Sequence, residues 1–382
     1  MARFIFGVLL VIWSTCSVSN AAESPALSPR GVARLITAAE KNARDAQGWA
    51  DDLLDVLKLH DLTASKENIC AAIAIIDQES SFIADPAVAG LGKISETALR
   101  AKMDKVPVLG RVAIHFLEIK PSPADNYLAR IRGARTERDL DLVYRAMVAD
   151  AAKQSGLGLV INSGLLNRQI DGHNEIDTIG SMQVSVDFAL ETAKRRRWLP
   201  MSLDDVYALR DELYTRHGGM YYGVLLLLGY ETGYDKKLYR FADFNAGRYS
   251  SRNAAFQSQI AELSGSVLAA DGDLLLYDKS GKVGIGASNT EKALRAVLKS
   301  SNFELTDEDI RKDLLREKDN DFVQTLTYSA LRATYAQVTK KRPVFAMVPN
   351  IALSSPKIRS KMTTRTFAES VNRRYQSCMA RK

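Results

Sequence analysis

The chain has 382 residues, of which 46% are hydrophobic and 25% are charged. These values are typical of globular proteins and exclude a disordered or low-complexity chain. The length exceeds the usual size of one domain, roughly 100 to 200 residues, so we expect a core domain with an accessory region. The formal net charge of +7 suits approach to anionic cell-wall polymers or membrane surfaces, although it carries little specificity.

The first residues have the pattern of a secretory signal peptide. Arg3 precedes an unbroken apolar stretch over residues 4–13, and small residues offer a cleavage site near Ala21. The apolar stretch is well short of the roughly 20 residues that a membrane crossing needs. Lipid attachment at Cys16 is disfavoured, because the residues before it fit a lipoprotein processing site poorly. We therefore predict a signal peptide over residues 1–21, export to the periplasm or cell envelope, and no transmembrane segment after cleavage.

Apolar residues at helical spacing predict helices over most of the chain. Residues 31–60 are expected to form helices with a break near Gly48, and a helix capped by Ser65 is expected to run to Glu79. Residues 93–155 are interpreted as several more helices. The later predicted elements are a loop over 157–184, helices over 185–194, 220–228 and 236–262, a hairpin over 273–286, and helices over 290–340 and 366–379. The fold class is therefore mainly α.

Two cysteines remain after cleavage, Cys70 and Cys378. An exported protein enters a compartment where disulfides persist, so we favour a bridge over two unrelated buried thiols. Closing a loop of this length would contribute on the order of 4 to 5 kcal/mol. Neither cysteine belongs to a C-x-x-C pair, which argues against a redox or zinc role.

Glu79 is the candidate catalytic residue. On a helix it shares a face with the apolar residues 69, 72, 73 and 76, so its carboxyl group continues an apolar stripe at the helix C-terminus. Burial and the negative end of the helix dipole would both raise its pKa, as a proton donor to a glycosidic oxygen requires. Ser80 could hydrogen-bond the carboxyl group. The alternative is a surface glutamate at a fraying helix end.

Two amide side chains are candidates for substrate contact. Asn245 shares a helix face with apolar residues such as Phe241, so a buried amide is expected there. It could bond to another core group, or point into a cleft to bind an N-acetyl group or orient Glu79. Gln183 lies on a glycine-bearing loop before a helix, and it could bind sugar amides or satisfy backbone groups.

Four short motifs, taken in order, resemble those of lytic transglycosylases of the soluble and goose-lysozyme-like type. They are Gln78–Phe82 (QESSF), Gly180–Val184 (GSMQV), Gly218–Gly223 (GGMYYG) and Phe241–Gly247 (FADFNAG). Each motif alone is weak, but the shared order makes the set specific. The motifs cover roughly residues 65–260. The whole chain is also similar to a bacterial envelope family with no assigned function.

The resemblance implies a lysozyme-like helical core and peptidoglycan as the partner. It implies that Glu79 protonates the bond between N-acetylmuramic acid and N-acetylglucosamine, then acts as base on the muramic 6-hydroxyl to give a 1,6-anhydro end. No second catalytic acid is required. By matching position, Ser80 would orient Glu79, Met182 and Gln183 would line the cleft, and Asn245 would hold the sugar or the glutamate.

Three departures from the family pattern leave alternatives open. About a hundred positions separate Glu79 from Gly180, so residues near 85–165 are interpreted as a helical insertion that could form a cap. Ser181 replaces the usual leucine, and Phe244 replaces a tyrosine and so removes a hydroxyl group. The alternatives are a muramidase that uses water, a non-catalytic glycan-binding or scaffold protein, and a helical envelope protein with coincidental motifs.

The tyrosine pair and the charged groups near the motifs complete the candidate set. Tyr221 and Tyr222 could stack on sugars, with one of the pair expected in the core. Four aspartates near the motifs could repel or assist Glu79, and most of them are expected to be solvated: Asp77, Asp177, Asp187 and Asp243.

We predict a lysozyme-like domain over residues 22–262, including the insertion, and a mostly helical C-terminal accessory region over 263–382 that contains a small β-hairpin. No cofactor or metal is expected, because the four histidines lack metal-ligand spacing. Nucleic acid is not expected either, because the arginine run at 195–197 lacks interleaved aromatic residues and follows a helix. Other envelope proteins are possible partners.

Overall fold

A computed structural model of the chain describes residues 27–155, 174, 176–278, 281–301, 303–353 and 362–381. The predicted signal peptide with Cys16, residues 156–165 of the predicted insertion, and two residues of the predicted hairpin lie outside this range. The described fold is mainly α, with two small antiparallel β pairs, as expected. Among the described helices, none combines the length and hydrophobicity that a membrane crossing requires.

The elements follow one another with short connections. In chain order, the helices are α1 (Pro29–Ala39), α2 (Ala46–Leu59), α3 (Lys66–Ser80), α4 (Leu91–Met103), α5 (Pro107–Ile119), α6 (Tyr127–Gly133), α7 (Glu137–Ser155), α8 (Val186–Lys194), α9 (Leu203–Leu213), α10 (Arg216–Leu228), α11 (Lys237–Ala246), α12 (Ser250–Ser264), α13 (Asn289–Lys299), α14 (Asp307–Leu314), α15 (Leu326–Thr339) and α16 (Thr364–Met379). A 3-10 helix, η1 (Asn320–Gln324), precedes α15. Strand β1 (Thr178–Ile179) pairs with β2 (Val184–Ser185), and β3 (Ala352–Leu353) pairs with β4 (Met362–Thr363).

Helix α3 is the centre of the first hydrophobic core. Its N-cap is Ser65, whose hydroxyl accepts a hydrogen bond from the amide of Asn68 at 3.3 Å, as the sequence predicted. Residues 69–76 are all buried, so the helix is enclosed on every face over two turns. Helices α1, α2, α8, α9, α10 and α11 contribute to the same core. This packing fixes the direction in which the C-terminal end of α3 presents Glu79.

The last helix of the chain belongs to this first core. Helix α16 packs against both α3 and α11, and its residues Phe367 and Val371 are buried there. The predicted disulfide is confirmed, since Cys70 of α3 is bonded to Cys378 of α16 with a Cα–Cα distance of 5.6 Å. Helix α16, which the sequence analysis assigned to the accessory region, therefore returns across the sequence to complete the core around α3.

A second hydrophobic core is formed by helices α12 to α15 with η1. Phe256 of α12 and Tyr328 of α15 stack with their ring centroids 5.4 Å apart, and Phe322 packs edge-on against both rings. The single helix expected over 236–262 is instead divided into α11 and α12 by a short turn. At the expected hairpin, Tyr277 and Val283 form an antiparallel bridge. This second core therefore begins within α12, close to the predicted boundary.

The predicted insertion forms helices α4 to α7 with a small core of their own. Leu117, Tyr127, Leu128 and Val143 are buried in it. An antiparallel bridge between Ala87 and Thr136 joins the start of this segment to the residue that precedes α7. This bridge returns the chain to the neighbourhood of Glu79 at the point where α7 begins.

Candidate functional site

Glu79 lies in the last turn of α3, at the end of a run of buried residues. Its side chain is half-buried, unlike the fully buried residues that precede it. Burial, together with the smaller effect of the nearby negative charge of Glu137, raises the pKa of Glu79 to about 7. A carboxyl group with such a pKa is largely protonated in mildly acidic conditions and can act as a proton donor.

The backbone directly after Glu79 is held in an unfavourable conformation. Ser81 and Phe82 both have positive φ angles, 51° and 61°, a region that residues other than glycine rarely occupy. The Phe82 side chain is buried and meets the Trp49 ring edge-on, with the centroids 5.3 Å apart. Strain of this kind persists only where the surrounding packing imposes it, and it concentrates at functional sites. Here it ends α3 immediately beyond the carboxyl group of Glu79.

The second motif forms the loop of the β1–β2 hairpin. Ile179 pairs with Val184, and the residues between them make the turn. Gly180 has a φ of +82°, and a Cβ atom there would lie 2.2 Å from the carbonyl oxygen of Leu213. Only glycine satisfies both conditions, because a side chain would meet backbone that cannot move aside. The glycine of this motif therefore lets the hairpin lie directly on the end of α9.

The third motif supplies the surface on which this loop rests. Met182 is fully buried, and a Cβ atom on Gly223 of α10 would lie 2.4 Å from the Met182 sulfur. The bare backbone of α10 at this position therefore accommodates the methionine side chain. The second and third motifs meet in space, although Met182 and Gly223 are 41 positions apart in the sequence.

Gln183 connects the hairpin to the predicted insertion. Its side-chain amide donates to a carboxylate oxygen of Glu137 at 3.4 Å and to the carbonyl oxygen of Gly180 at 3.3 Å. Its amide oxygen accepts a hydrogen bond from the hydroxyl of Thr178 at 3.0 Å. Glu137 is 5% exposed and begins α7. Both the nitrogen and the oxygen of the Gln183 amide group are thus already hydrogen-bonded. In this conformation the side chain orients Glu137 and has few hydrogen-bonding positions left for a sugar.

A buried charge network fixes the first turns of α7. Asp141, one helical turn after Glu137, is fully buried and accepts hydrogen bonds from Arg210 at 2.8 Å and Asn174 at 2.6 Å. Arg210 of α9 also donates to the carbonyl oxygen of Ile176 at 2.6 Å. Because an uncompensated buried charge is costly, this network holds α7 against the hairpin. The position of Glu137 is therefore determined by α9 and by the chain leading into β1.

The surroundings of the site are acidic. Burial raises the pKa of Asp85, while a hydrogen bond with Thr136 opposes that rise, and the charges of Asp139 and Glu137 add to it. Glu137 therefore acts on the carboxyl groups of both Glu79 and Asp85. Accumulated negative charge disfavours ionisation of each of these carboxyl groups and helps keep a proton at the site.

Glu137 was missed by the sequence analysis. It follows Thr136 at the start of a helix, and an acidic residue in a first helical turn is common wherever a helix begins. Its role is visible only after the chain has folded across the 57 positions that separate it from Glu79. The bridge between Ala87 and Thr136 makes this juxtaposition, and no local pattern encodes it.

Two predictions next to the site need correction. The Ser80 hydroxyl does not donate to Glu79, because it donates to the carbonyl oxygen of Ile76 at 3.1 Å, within the same helix. Met182 does not line an open cleft, because its side chain is fully buried against α10. Both residues support the site by packing or backbone hydrogen bonding, and neither reaches a substrate directly in this conformation.

The fourth motif is placed differently from the expectation. Asn245 is exposed and accepts a hydrogen bond from the Thr364 hydroxyl at 3.2 Å. The expected burial of Asn245 was therefore wrong. Asn245 lies in the last turn of α11, and its hydrogen-bond partner Thr364 is the first residue of α16. Phe244 is buried in the first core, so its ring contributes packing. No hydrogen bond between Asn245 and Glu79 occurs among the described residues.

The aspartate of the fourth motif is structural. Asp243 is fully buried, and its carboxylate accepts hydrogen bonds from the Tyr234 hydroxyl at 2.7 Å and the backbone amides of Tyr249 and Ser251 at 2.9 and 2.7 Å. Asp243 is therefore an exception to the expectation that most of the aspartates near the motifs are solvated. Asp243 fixes the turn between α11 and α12, which explains its position in the motif without a catalytic role.

The tyrosine pair divides as expected, with Tyr222 buried in the core. Tyr221 is half-buried and packs on His60, with ring centroids 4.3 Å apart, and under the guanidinium of Arg196 at 5.3 Å. His60 follows α2 and precedes α3, so it lies near the opposite end of α3 from Glu79. The structure therefore does not bring Tyr221 into the site around Glu79. Among the described residues, no group of acidic, histidine and cysteine side chains is arranged to hold a metal ion.

The fold and site together define a mainly α, disulfide-linked protein with a protonatable, half-buried glutamate at the end of its central helix. The chain belongs to the family described as "Protein of unknown function (DUF1615)", whose model matches residues 42–381. It is similar to "Uncharacterized protein YaiW" of Escherichia coli (strain K12), with 33% identity over 338 residues, covering 88% of this chain and 86% of that protein. No solved structure matches the chain.

Proposed function

We propose that this protein is an exported peptidoglycan lytic transglycosylase in which Glu79 is the catalytic acid and base. The observation that carries the proposal is the convergence of Glu79, Glu137 and the Gln183 hairpin, which joins motifs from distant parts of the sequence around one half-buried carboxyl group. The disulfide between Cys70 and Cys378 supports export, because such bonds persist in oxidising compartments.

The proposed reaction uses the carboxyl group of Glu79 twice, first as an acid and then as a base. The carboxyl group donates its proton to the glycosidic oxygen, and the bond from that oxygen to C1 of N-acetylmuramic acid breaks, which releases N-acetylglucosamine with a free hydroxyl group. The carboxylate of Glu79 then accepts the proton of the muramic 6-hydroxyl as that oxygen bonds to C1. This closes the 1,6-anhydro ring and returns Glu79 to its protonated form.

The raised pKa of Glu79 serves the first of these steps. A carboxyl group with an ordinary pKa would be ionised near neutral pH and would have no proton to give. Burial and the charge of Glu137 keep a substantial fraction protonated at about pH 7. A pKa close to the working pH also suits the second step, because the same group must then act as a base.

A non-catalytic glycan-binding or scaffold protein is the second candidate. It is favoured by Gln183, whose amide is already bonded to Glu137, Gly180 and Thr178. It is also favoured by Tyr221, which lies away from Glu79, and by Phe244, which is buried. Under this alternative, the protein would bind purified cell walls, and replacing Glu79 would leave that binding intact.

Digestion of purified peptidoglycan sacculi separates the two candidates. The wild type, Glu79→Gln and Glu67→Gln would be compared for release of soluble muropeptides. Glu67 is a matched control, because it is an exposed glutamate in the first turn of the same helix. The enzyme proposal requires release by the wild type and Glu67→Gln and none by Glu79→Gln. Binding to sacculi without release by any of the three would establish the scaffold alternative.

A further inference from the structure

The connection between α8 and α9 carries an unusual surface segment, residues 195–199, which we call the Arg-Trp loop. It contains three consecutive arginines followed by Trp198 and Leu199. Trp198 is 102% exposed and Leu199 is 76% exposed. Single exposed apolar residues are common, but a fully exposed tryptophan beside an exposed leucine and three cations forms an apolar and basic surface patch. The proposed catalysis does not use this patch.

The Arg-Trp loop is held in place from several sides. Arg197 forms an ion pair with Asp205 of α9 at 2.9 Å, and Arg196 lies over the Tyr221 ring at 5.3 Å. The backbone amide of Arg197 also donates to the carbonyl oxygen of Lys194 at 3.1 Å. Beyond the loop, Met201 is buried in the first core. Trp198 and Leu199 therefore project from an anchored turn and do not fold back onto the protein.

We propose that the Arg-Trp loop docks this protein onto an anionic phospholipid bilayer. Arg195 and Arg196 would contact lipid phosphates, Trp198 would lie at the level of the headgroups, and Leu199 would enter the edge of the acyl region. Tryptophan favours this interface because its ring is apolar and its N–H remains polar, and basic side chains are attracted to anionic headgroups. The proposal is independent of the chemistry at Glu79.

The composition of the loop favours a bilayer over the other polymers that an exposed tryptophan could contact. A sugar-binding tryptophan works together with polar side chains that bond to hydroxyl groups, whereas Trp198 stands beside an aliphatic residue and cations. Single-stranded nucleic acid binds through several stacked aromatic rings, whereas this loop offers one. Three cations next to two exposed apolar side chains match the surface of a bilayer, which has anionic headgroups outside and an apolar acyl region beneath them.

Co-sedimentation with lipid vesicles tests the proposal on the exported, processed protein. Vesicles of equal parts phosphatidylglycerol and phosphatidylcholine would be compared with phosphatidylcholine alone, so that attachment that does not depend on anionic lipid appears with both. The proposal predicts preferential binding to the anionic vesicles. Arg195→Gln with Arg196→Gln should lower the partition coefficient about 20- to 30-fold, about fivefold for each charge. Trp198→Ser with Leu199→Ser should lower it about tenfold or more.

Two control pairs remove the same kinds of side chain elsewhere. Val267→Ser with Ile285→Ser removes two apolar residues that are 101% and 104% exposed, and Arg342→Gln with Arg373→Gln removes two exposed arginines. Each control should retain at least half of the wild-type binding. A blue shift of tryptophan emission on anionic vesicles should occur in the wild type and disappear in Trp198→Phe. Circular dichroism melts would verify that every variant is folded.

Three results would overturn the proposal. The first is equal binding of the wild type to anionic and neutral vesicles, or no binding to either. The second is loss of binding in the control pairs as large as in the loop variants. The third is a wild type that binds purified sacculi through Trp198 and ignores anionic vesicles, which would assign the loop to glycan instead.

Discussion

The amide of Gln183 donates a hydrogen bond to the carboxylate of Glu137 at 3.4 Å, and the charge of Glu137 in turn raises the pKa of Glu79. A hairpin loop and the first residue of α7 are thereby coupled to the end of the central helix. Through Glu137, the segment between the first two motifs therefore influences the pKa of Glu79, which a simple cap would not do. The protonation of Glu79 can therefore be tested by replacing Glu137.

Replacing Glu137 by glutamine should lower the pKa of Glu79. Removing a nearby negative charge makes ionisation of Glu79 easier, so less of it is protonated at about pH 7. Glycan release should fall about two- to tenfold at about pH 7 and change little at about pH 5, where Glu79 remains protonated. The measurement is the pH profile of muropeptide release, with its alkaline limb moved to lower pH.

Glu212→Gln provides the control for that profile, because Glu212 lies on α9 and its charge is not among the causes of the raised Glu79 pKa. Its profile should match the wild type. Loss of release at every pH in Glu137→Gln would contradict this account, because it would make Glu137 a participant in the reaction and no longer a residue that adjusts the pKa of Glu79.

Replacing Glu79 by glutamine should stabilise the protein in a pH-dependent way. The folded-state pKa is about 7, above the ordinary value of 4.5, so the neutral form is favoured on folding. The stability associated with Glu79 is therefore fully present below the ordinary pKa and is lost as the pH rises through about 7. Glu79→Gln should gain about 1 to 3 kcal/mol at about pH 8 and close to none at about pH 4.

Urea unfolding at those two pH values measures the difference, with Glu67→Gln as the exposed control on the same helix. A gain for Glu79→Gln that is equal at both pH values would be inconsistent with a raised pKa, because only a shifted titration makes the gain depend on pH. Such a result would also remove the physical basis for Glu79 as a proton donor.

Adding a methyl group at Gly223 should displace the hairpin. A Cβ atom there would lie 2.4 Å from the Met182 sulfur and 2.7 Å from the Met182 Cβ, closer than side chains approach each other. Gly223→Ala should cost about 1 to 3 kcal/mol and weaken any activity that depends on the hairpin. Gly133→Ala is the control, because nothing lies within 4 Å of the added atom.

Truncation of Met182 provides a second check on this contact. In Gly223→Ala with Met182→Gly, the added methyl group finds space because both the sulfur and the Cβ of residue 182 are absent, so the combined loss of stability should be smaller than the sum of the two single losses. Thermal or urea unfolding of the four proteins gives the comparison. Strict additivity would mean that Gly223 and Met182 do not press on each other as the geometry requires.

Removing the disulfide should loosen α16 from α3. Cys70→Ala with Cys378→Ala takes away a crosslink between residues 308 positions apart and should lower the free energy of unfolding by about 2 to 5 kcal/mol. Ser370 of α16 donates to Gln78 at 2.8 Å, directly beside Glu79, so muropeptide release should fall as well. An unchanged unfolding midpoint with the intact wild type oxidised would contradict the prediction.

The sequence predicted the parts of the site that depend on local spacing. The Ser65 cap, the apolar stripe of α3 and the position of Glu79 at its end follow from helical periodicity. The exposure of Asn245 could not be read in the same way, and the return of α16 followed only from the favoured pairing of Cys70 with Cys378. Each depends on a partner more than a hundred positions away, Thr364 for Asn245 and Cys70 for Cys378.

Side-chain direction was harder to predict than helix position. Ser80 lies where it was expected, but its hydroxyl bonds to the carbonyl oxygen of Ile76, because a helix interior offers that acceptor to every serine. Tyr221 lies on the expected helix, yet it faces His60 and Arg196. The two motif glycines were recognised by resemblance, and the close contacts of Gly180 and Gly223 supply their physical reason.

The most direct test of Glu79 as acid and base is mass analysis of the glycan ends formed when sacculi are digested in water enriched in heavy oxygen. Wild type and Glu67→Gln should produce 1,6-anhydro ends that contain no heavy oxygen, because the muramic 6-hydroxyl attacks C1 and solvent does not. Glu79→Gln should produce no new ends. Reducing ends carrying heavy oxygen would show hydrolysis instead, and anhydro ends formed equally by Glu79→Gln would contradict the assignment of Glu79.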